Sequence, residues 1–158
     1  MSGLVLVFDL DDTLYPERQF ALSGFAAAGR WAETELGVSG LAADMTRLLD
    51  GGHLGALFKI ALAGRLLQGL DTRLTHSAAV AAHVSRVTHL VEPEWRSPLN
   101  DAAWLHDVGY SPELVLTGFH PLDGARWLRD HRWPAEACRL VAWHTEAIEE
   151  ALLRGLNE

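Results

Sequence analysis

The chain has 158 residues, enough for one ordinary domain or two small ones, and its 49% hydrophobic and 22% charged residues mark a folded globular protein rather than a disordered tail. Its net charge of −8, from 13 basic against 21 acidic residues, argues against nucleic-acid binding through a basic face, which demands concentrated Lys and Arg. The same charge would repel a phosphorylated substrate unless a metal ion or local cations offset it. A chain of this length buries a core without disulfides. The single cysteine, Cys138, forms no internal pair, which fits a reducing cytoplasm. Met1 to Leu10 has neither the basic opening nor the long apolar core of a signal peptide. No run reaches the roughly 20 apolar residues of a membrane span. The expectation is a cytoplasmic chain with no membrane association.

Leu4 to Phe8 is a short, partly β-branched apolar run and reads as a buried strand. A single strand leaves a row of backbone donors and acceptors unpaired, so either it pairs with another chain, as in a homodimer, or this segment is not a strand. After Tyr15-Pro16 the pattern turns helical: Phe20, Phe25, Ala28, Trp31 and Ala32 recur at helical intervals, with Gly37 as a stop. Two further helices are expected at about Leu41 to Leu49 and Leu54 to Leu67, separated by Gly51-Gly52. Gly69 to Thr75 has no apolar stripe and reads as a domain boundary. Beyond it His76, Val80, His83, Val87 and Leu90 share one helical face, and Glu92-Pro93 ends that helix. Ser97-Pro98 offers an N-cap and first-turn proline for a short helix into His106-Asp107, stopped at Gly109. Two more helices start at Pro121 and Pro134, the last running to about Leu153.

Two places carry chemistry. The first is Val5 to Arg18, VLVFDLDDTLYPER, which sets Asp9 and Asp11 two residues apart just past the strand. Such a pair can hold a hard cation like Mg²⁺, or divide attack on phosphorus and proton transfer between them. This string resembles the first motif of the haloacid dehalogenase-like phosphatases. The resemblance implies Asp9 as nucleophile, Asp11 as acid/base and Thr13 near the phosphate, with the helices from Gln19 to about Leu67 as the start of a helical cap. The family's other signature motifs have no counterpart, and Lys59, the only lysine in the chain, lies in the cap-like helices.

The second place is His76, then His106-Asp107, His120 and His144. Imidazole and carboxylate together suit Fe, Mn, Zn or Co. His106 and Asp107 are neighbours near a helix end, and His76, His120 and His144 sit near helix starts or ends, where bundled helices can converge. The string AWLHDVGYSPELVLTGFHPLDGARWLRDHRWP, followed by CRLVAWHTEA, resembles the HD superfamily of metal-dependent phosphohydrolases, over about Arg73 to Glu149. By that resemblance His76 is the first ligand, His106-Asp107 the signature dyad, and His120 and His144 the extra histidines of forms that hold two metals. Asp107 would also orient or deprotonate the attacking water. The family's final aspartate is missing, since no aspartate follows Asp130, leaving Glu146, Glu149 or Glu150 as stand-ins.

The expected architecture is therefore mainly α: a partial dehalogenase-like segment over residues 1–70, then an HD-type helical bundle over 71–158. The expected activity is metal-dependent hydrolysis of a small phosphate ester or nucleotide. The alternatives are a dehalogenase-like phosphatase using Asp9, and a catalytically inactive fusion of two partial domains. Among the other histidines, His83 reads as a core or boundary residue, His89 and His131 as solvent-facing and His53 as a loop residue. Trp104, Trp127, Trp133 and Trp143 read as core packing, and Arg126 and Arg129 as a solvated helix face.

Overall fold

A computed structural model describes residues 16–145 and 147–156. Those residues form helices and short 3-10 turns, with no strand among them. The strand expected at Leu4 to Phe8, the dimer contact built on it, and Asp9, Asp11 and Thr13 lie outside the described residues. No helix among the described residues is long and apolar enough to cross a membrane. The chain divides into two compact units, Met1–Gly55 and Ala56–Glu158.

In the first unit, α1 (Glu17–Glu35) packs on α2 (Leu41–Asp50). Ala32, Leu36, Leu41 and Met45 are buried between them. Gly29 permits the close crossing, because a Cβ there would lie 2.9 Å from the Ala42 Cβ. Arg18 closes the open end by a forked pair with Asp50 at 2.9 and 3.1 Å. Both groups are exposed, so the pair adds little stability.

The second unit holds α3 (Leu57–Leu66), α4 (Asp71–Val87), α5 (Pro93–Leu105), α6 (His120–Asp130), α7 (Ala135–Ala142) and α8 (Ala147–Leu153). Helix α5 is its axis, touching α3, α4 and α7, while α6 packs on α7 and on the 3-10 turn Val108–Tyr110. Leu62, Leu67, Leu105, Val108, Leu128 and Val141 fill the core.

Three expectations change. The division falls at Gly55/Ala56, ahead of the Gly69–Thr75 stretch, because α3 packs on α4 and α5. Lys59 accordingly belongs to the second unit, where its ammonium pairs with the buried Asp101 carboxylate on α5. Pro93 opens α5 rather than closing the helix before it, and Ser97-Pro98 lie inside α5. Pro98 stands inside that helix, past its first turn, and removes one i to i−4 backbone hydrogen bond there. Finally, the helix expected from Pro134 to about Leu153 is broken: α7 ends at Ala142, and Thr145 takes a left-handed backbone with φ +47° before α8 begins.

The tightest contact in the unit is backbone against backbone. A Cβ on Gly109 would sit 2.7 Å from the Gly124 nitrogen and closer still to the His120 carbonyl oxygen. Neither is the flexible end of a side chain, so nothing can yield without moving α6. We predict that Gly109→Ala destabilises the second unit by about 2–4 kcal/mol, as overpacking against backbone does. Urea denaturation followed by circular dichroism checks this, and an unchanged midpoint would refute the rigid contact.

Candidate metal centre

The end of α5 sets up the site. His106 caps α5 in helical geometry, and Asp107 follows in a bridge conformation with φ −94° and ψ 0°. Both are buried and look toward the start of α6, which the Gly109 contact holds close. There His120 begins the helix, with Pro121 in its first turn. The loop leading to it is fixed by Asp123, a buried carboxylate that accepts hydrogen bonds from the backbone of Leu116, Thr117 and Gly118 and from the Thr117 hydroxyl at 2.8 Å. His144 stands in the break between α7 and α8. Arg154, beyond α8, donates to the Gly118 carbonyl at 3.2 Å and ties that end of the chain to the same loop. His76 enters from α4.

These residues gather into two overlapping groups. Donor atoms of His76, His106 and Asp107 lie within 4.8 Å of one another, as do those of Asp107, His120 and His144. Asp107 belongs to both. The rings meet edge to face, with centroids 5.2 Å apart for His76–His106, 5.0 Å for His106–His144 and 5.1 Å for His120–His144. His106 Nδ1 lies 3.1 Å from the Ala103 carbonyl and His144 Nδ1 lies 2.6 Å from that of Val141. A carbonyl can only accept, so each Nδ1 carries a proton, which leaves Nε2 as the atom each ring can offer to an ion. Backbone anchors of this kind are how proteins orient metal-ligating histidines.

The electrostatics agree with neutral rings. Burial lowers the His106 pKa, against the opposing pull of Asp107. His120 is pushed down to about 4, by burial first and then by its neighbour His144, whose Nε2 lies 3.1 Å from its own. Asp107 is nearly sealed from solvent, with a side chain 3% exposed, and its Oδ2 has no hydrogen-bond partner. Its Oδ1 stands 3.5 Å from His106 Nε2 and 3.6 Å from His120 Nε2. A carboxylate so placed among neutral rings is electrostatically incomplete. A divalent cation would satisfy it together with those Nε2 atoms, and the donor set fits such an ion.

Two residues that sequence reading missed complete the site. Tyr110 stacks on His120, with centroids 3.9 Å apart and planes 17° from parallel. The Arg73 guanidinium lies over the other participant in that stack, 3.9 Å from the Tyr110 centroid, with Nη1 3.8 Å from Asp107 Oδ2. Arg73 precedes His76 by three residues on α4, hence shares its helix face. That spacing was the available signal. A cavity of about 460 Å³ opens here, lined by Arg73, Tyr110, His120 and Glu149 among others.

The remaining expectations divide. Among the described residues no further carboxylate joins the two groups. Glu149 and Glu150 only line the cavity, Glu150 being paired with Arg154, and the Glu146 side chain lies outside the described residues. His83 is exposed rather than at a core boundary, because the buried face of α4 is made by Ser77 and Ala81. His131 is half-buried, donating from Nδ1 to the Trp127 carbonyl at 2.7 Å. Trp143 is 68% exposed, not core, since α7 ends just before it. Compared with known proteins, the chain matches no family model, no curated protein and no solved structure.

A pH dependence follows for metal-free protein. The unfolded chain protonates His120 near the ordinary value of 6.5, whereas the folded site resists until about 4. Stability from this group is therefore complete above pH 6.5 and declines as pH falls toward 4. We expect a loss on the order of 2 kcal/mol over that window. Urea midpoints of chelator-treated protein at pH 7 and 4.5 measure it, and His120→Gln should flatten the difference; an equal slope in that variant would contradict the assignment.

Proposed function

We propose that the second unit is a metal-dependent phosphohydrolase of the HD type, acting on a small phosphate ester or nucleotide. The observation that carries this reading is the shared Asp107: a buried carboxylate whose Oδ2 has no hydrogen-bond partner, common to two three-residue donor groups. His76 and His106 with Asp107, and His120 and His144 with the same carboxylate, would hold one or two ions of the Fe, Mn, Zn or Co class. A bound ion of this kind supplies Lewis acidity toward a phosphoryl oxygen and acidifies water.

The chain's own groups do the rest. Asp107 is the carboxylate at the centre, so it is the group that orients the attacking water or accepts its proton. Arg73, 44% exposed at its side chain, presents a guanidinium to the 460 Å³ cavity and offers paired donors to phosphoryl oxygens. Its stack on Tyr110 limits where that fork can point. Arg73 also answers the objection raised by the overall charge of −8, because it places a cation where a phosphate would arrive.

The test separates binding from turnover. Purified wild-type protein should carry a transition metal by elemental analysis, and His106→Ala or Asp107→Ala should remove most of it. Arg73→Ala should keep the metal and lower kcat/KM for a phosphate monoester by roughly 10- to 100-fold, the cost of one charge-assisted contact. Metal content unaffected by either ligand substitution would end this reading.

A further inference from the structure

The same centre has a second face. A groove of about 720 Å³, which Arg73 does not line, lies in the second unit among residues of α4, α5 and α7. Val80 and Val84 come from α4, Trp95 and Leu99 from α5, and Leu140 and Trp143 from the α7 side. Its inner end is formed by His76, His106 and His144, which also line the Arg73 cavity. The histidine cluster thus borders both spaces, which adjoin there.

The chemistry of the lining limits the occupant. Apart from the three imidazoles, the charged or hydroxyl-bearing side chains are Arg139, held by Glu136 at 3.0 Å, and Thr145 at the shared end. There is no carboxylate and no carboxamide in the lining to read a sugar or the edge of a base. A polyhydroxylated group placed against Val80, Val84, Leu99 and Leu140 would lose hydrogen bonds to water that those side chains cannot replace. An apolar ring or chain would instead cover Trp95 and Trp143, which are 41% and 68% exposed.

We propose that this groove is the leaving-group subsite of the metal centre, so that the preferred substrates are phosphomonoesters of apolar alcohols rather than nucleotides or sugar phosphates. The inference rests on the phosphohydrolase reading and narrows its substrate class. It places the phosphoryl group on the Arg73 side and the ester's carbon skeleton against Leu99 and the tryptophans. On hydrolysis the P–O bond to the alcohol breaks, water supplies the new P–O bond, and the alcohol oxygen leaves with a proton.

Calorimetric titration of the full chain with 1-naphthylmethylphosphonate and with methylphosphonate tests it, neither compound being hydrolysable. The naphthyl compound should bind roughly 30-fold more tightly or better, as burial of a bicyclic ring allows. The double variant Trp95→Ala/Trp143→Ala should lose at least roughly 10-fold for the naphthyl compound, with affinity for methylphosphonate and metal content unchanged. Equal affinities for the two compounds, or a ratio unmoved by the double substitution, would overturn the subsite. Titration of chelator-treated protein with 1-naphthol isolates the groove: binding there, when the untreated protein carries no metal by elemental analysis, would sink the phosphohydrolase reading while leaving an apolar site. Metal retained with no preference for the naphthyl compound would sink the subsite alone. A dimer in sedimentation that Trp143→Glu converts to monomer would show the groove to be covered by a second copy, and would also overturn the proposal.

Discussion

The candidate centre depends on one steric condition, the passage of the Gly109 backbone against the first turn of α6. Four of the gathered side chains come from places that only this contact and its neighbours bring together: the end of α5 supplies His106 and Asp107, the start of α6 supplies His120, and α7, packed on α6, delivers His144. Gly124 faces Gly109 from α6, with little side-chain bulk on either side of the crossing. Two helix ends thus meet at backbone distance, and their polar side chains are forced into a common small volume. The Asp123 carboxylate, spanning the loop before α6, keeps the His120 end from fraying away from this meeting point.

Forcing polar groups together in a dry place has an electrostatic consequence. Burial disfavours the charged form of His106 and His120, and the backbone carbonyls of Ala103 and Val141 fix Nδ1 as the donor of His106 and His144. A buried carboxylate is left with lone pairs around it and a single guanidinium, Arg73, at 3.8 Å. Contrast the pair of Lys59 with the buried Asp101 six residues earlier, inside α5, where an acidic group has its cation in contact. Asp101 is compensated by a contacting ammonium, whereas Asp107, past the end of α5, faces its guanidinium only at 3.8 Å. That difference is what separates a structural charge from a candidate ligand.

Much of this was legible in the sequence, and the reasons are local. Apolar residues at helical intervals with glycine breaks gave α1 and α2, and α3 within a few residues, although Phe20 and Trp31 of α1 are exposed. The histidines and Asp107 stood out because they sit at helix ends, where a bundle can bring distant positions to one point. What escaped was tertiary. Arg73 and Tyr110 earn their places by stacking in series on His120, a relation with no signature beyond the three-residue step from Arg73 to His76. Proline misled at Pro93 and Pro98, since either can open a helix and only packing decides which does. The break at Thr145 was hidden because no glycine or proline marks it between Ala135 and Leu153, although Thr145 takes a left-handed backbone in the gap that holds His144. The boundary moved to Gly55 because α3 finds its apolar partners on α4 and α5, which composition alone does not reveal.

The central claim is that His76, His106, Asp107, His120 and His144 surround an ion. It is tested most directly by anomalous diffraction from crystals grown with Zn²⁺, collected on both sides of the metal absorption edge. The account predicts a peak between the two donor groups, at about 2.0–2.2 Å from imidazole nitrogens and an Asp107 oxygen. A map with no peak there, and with metal bound only at surface residues, would contradict it.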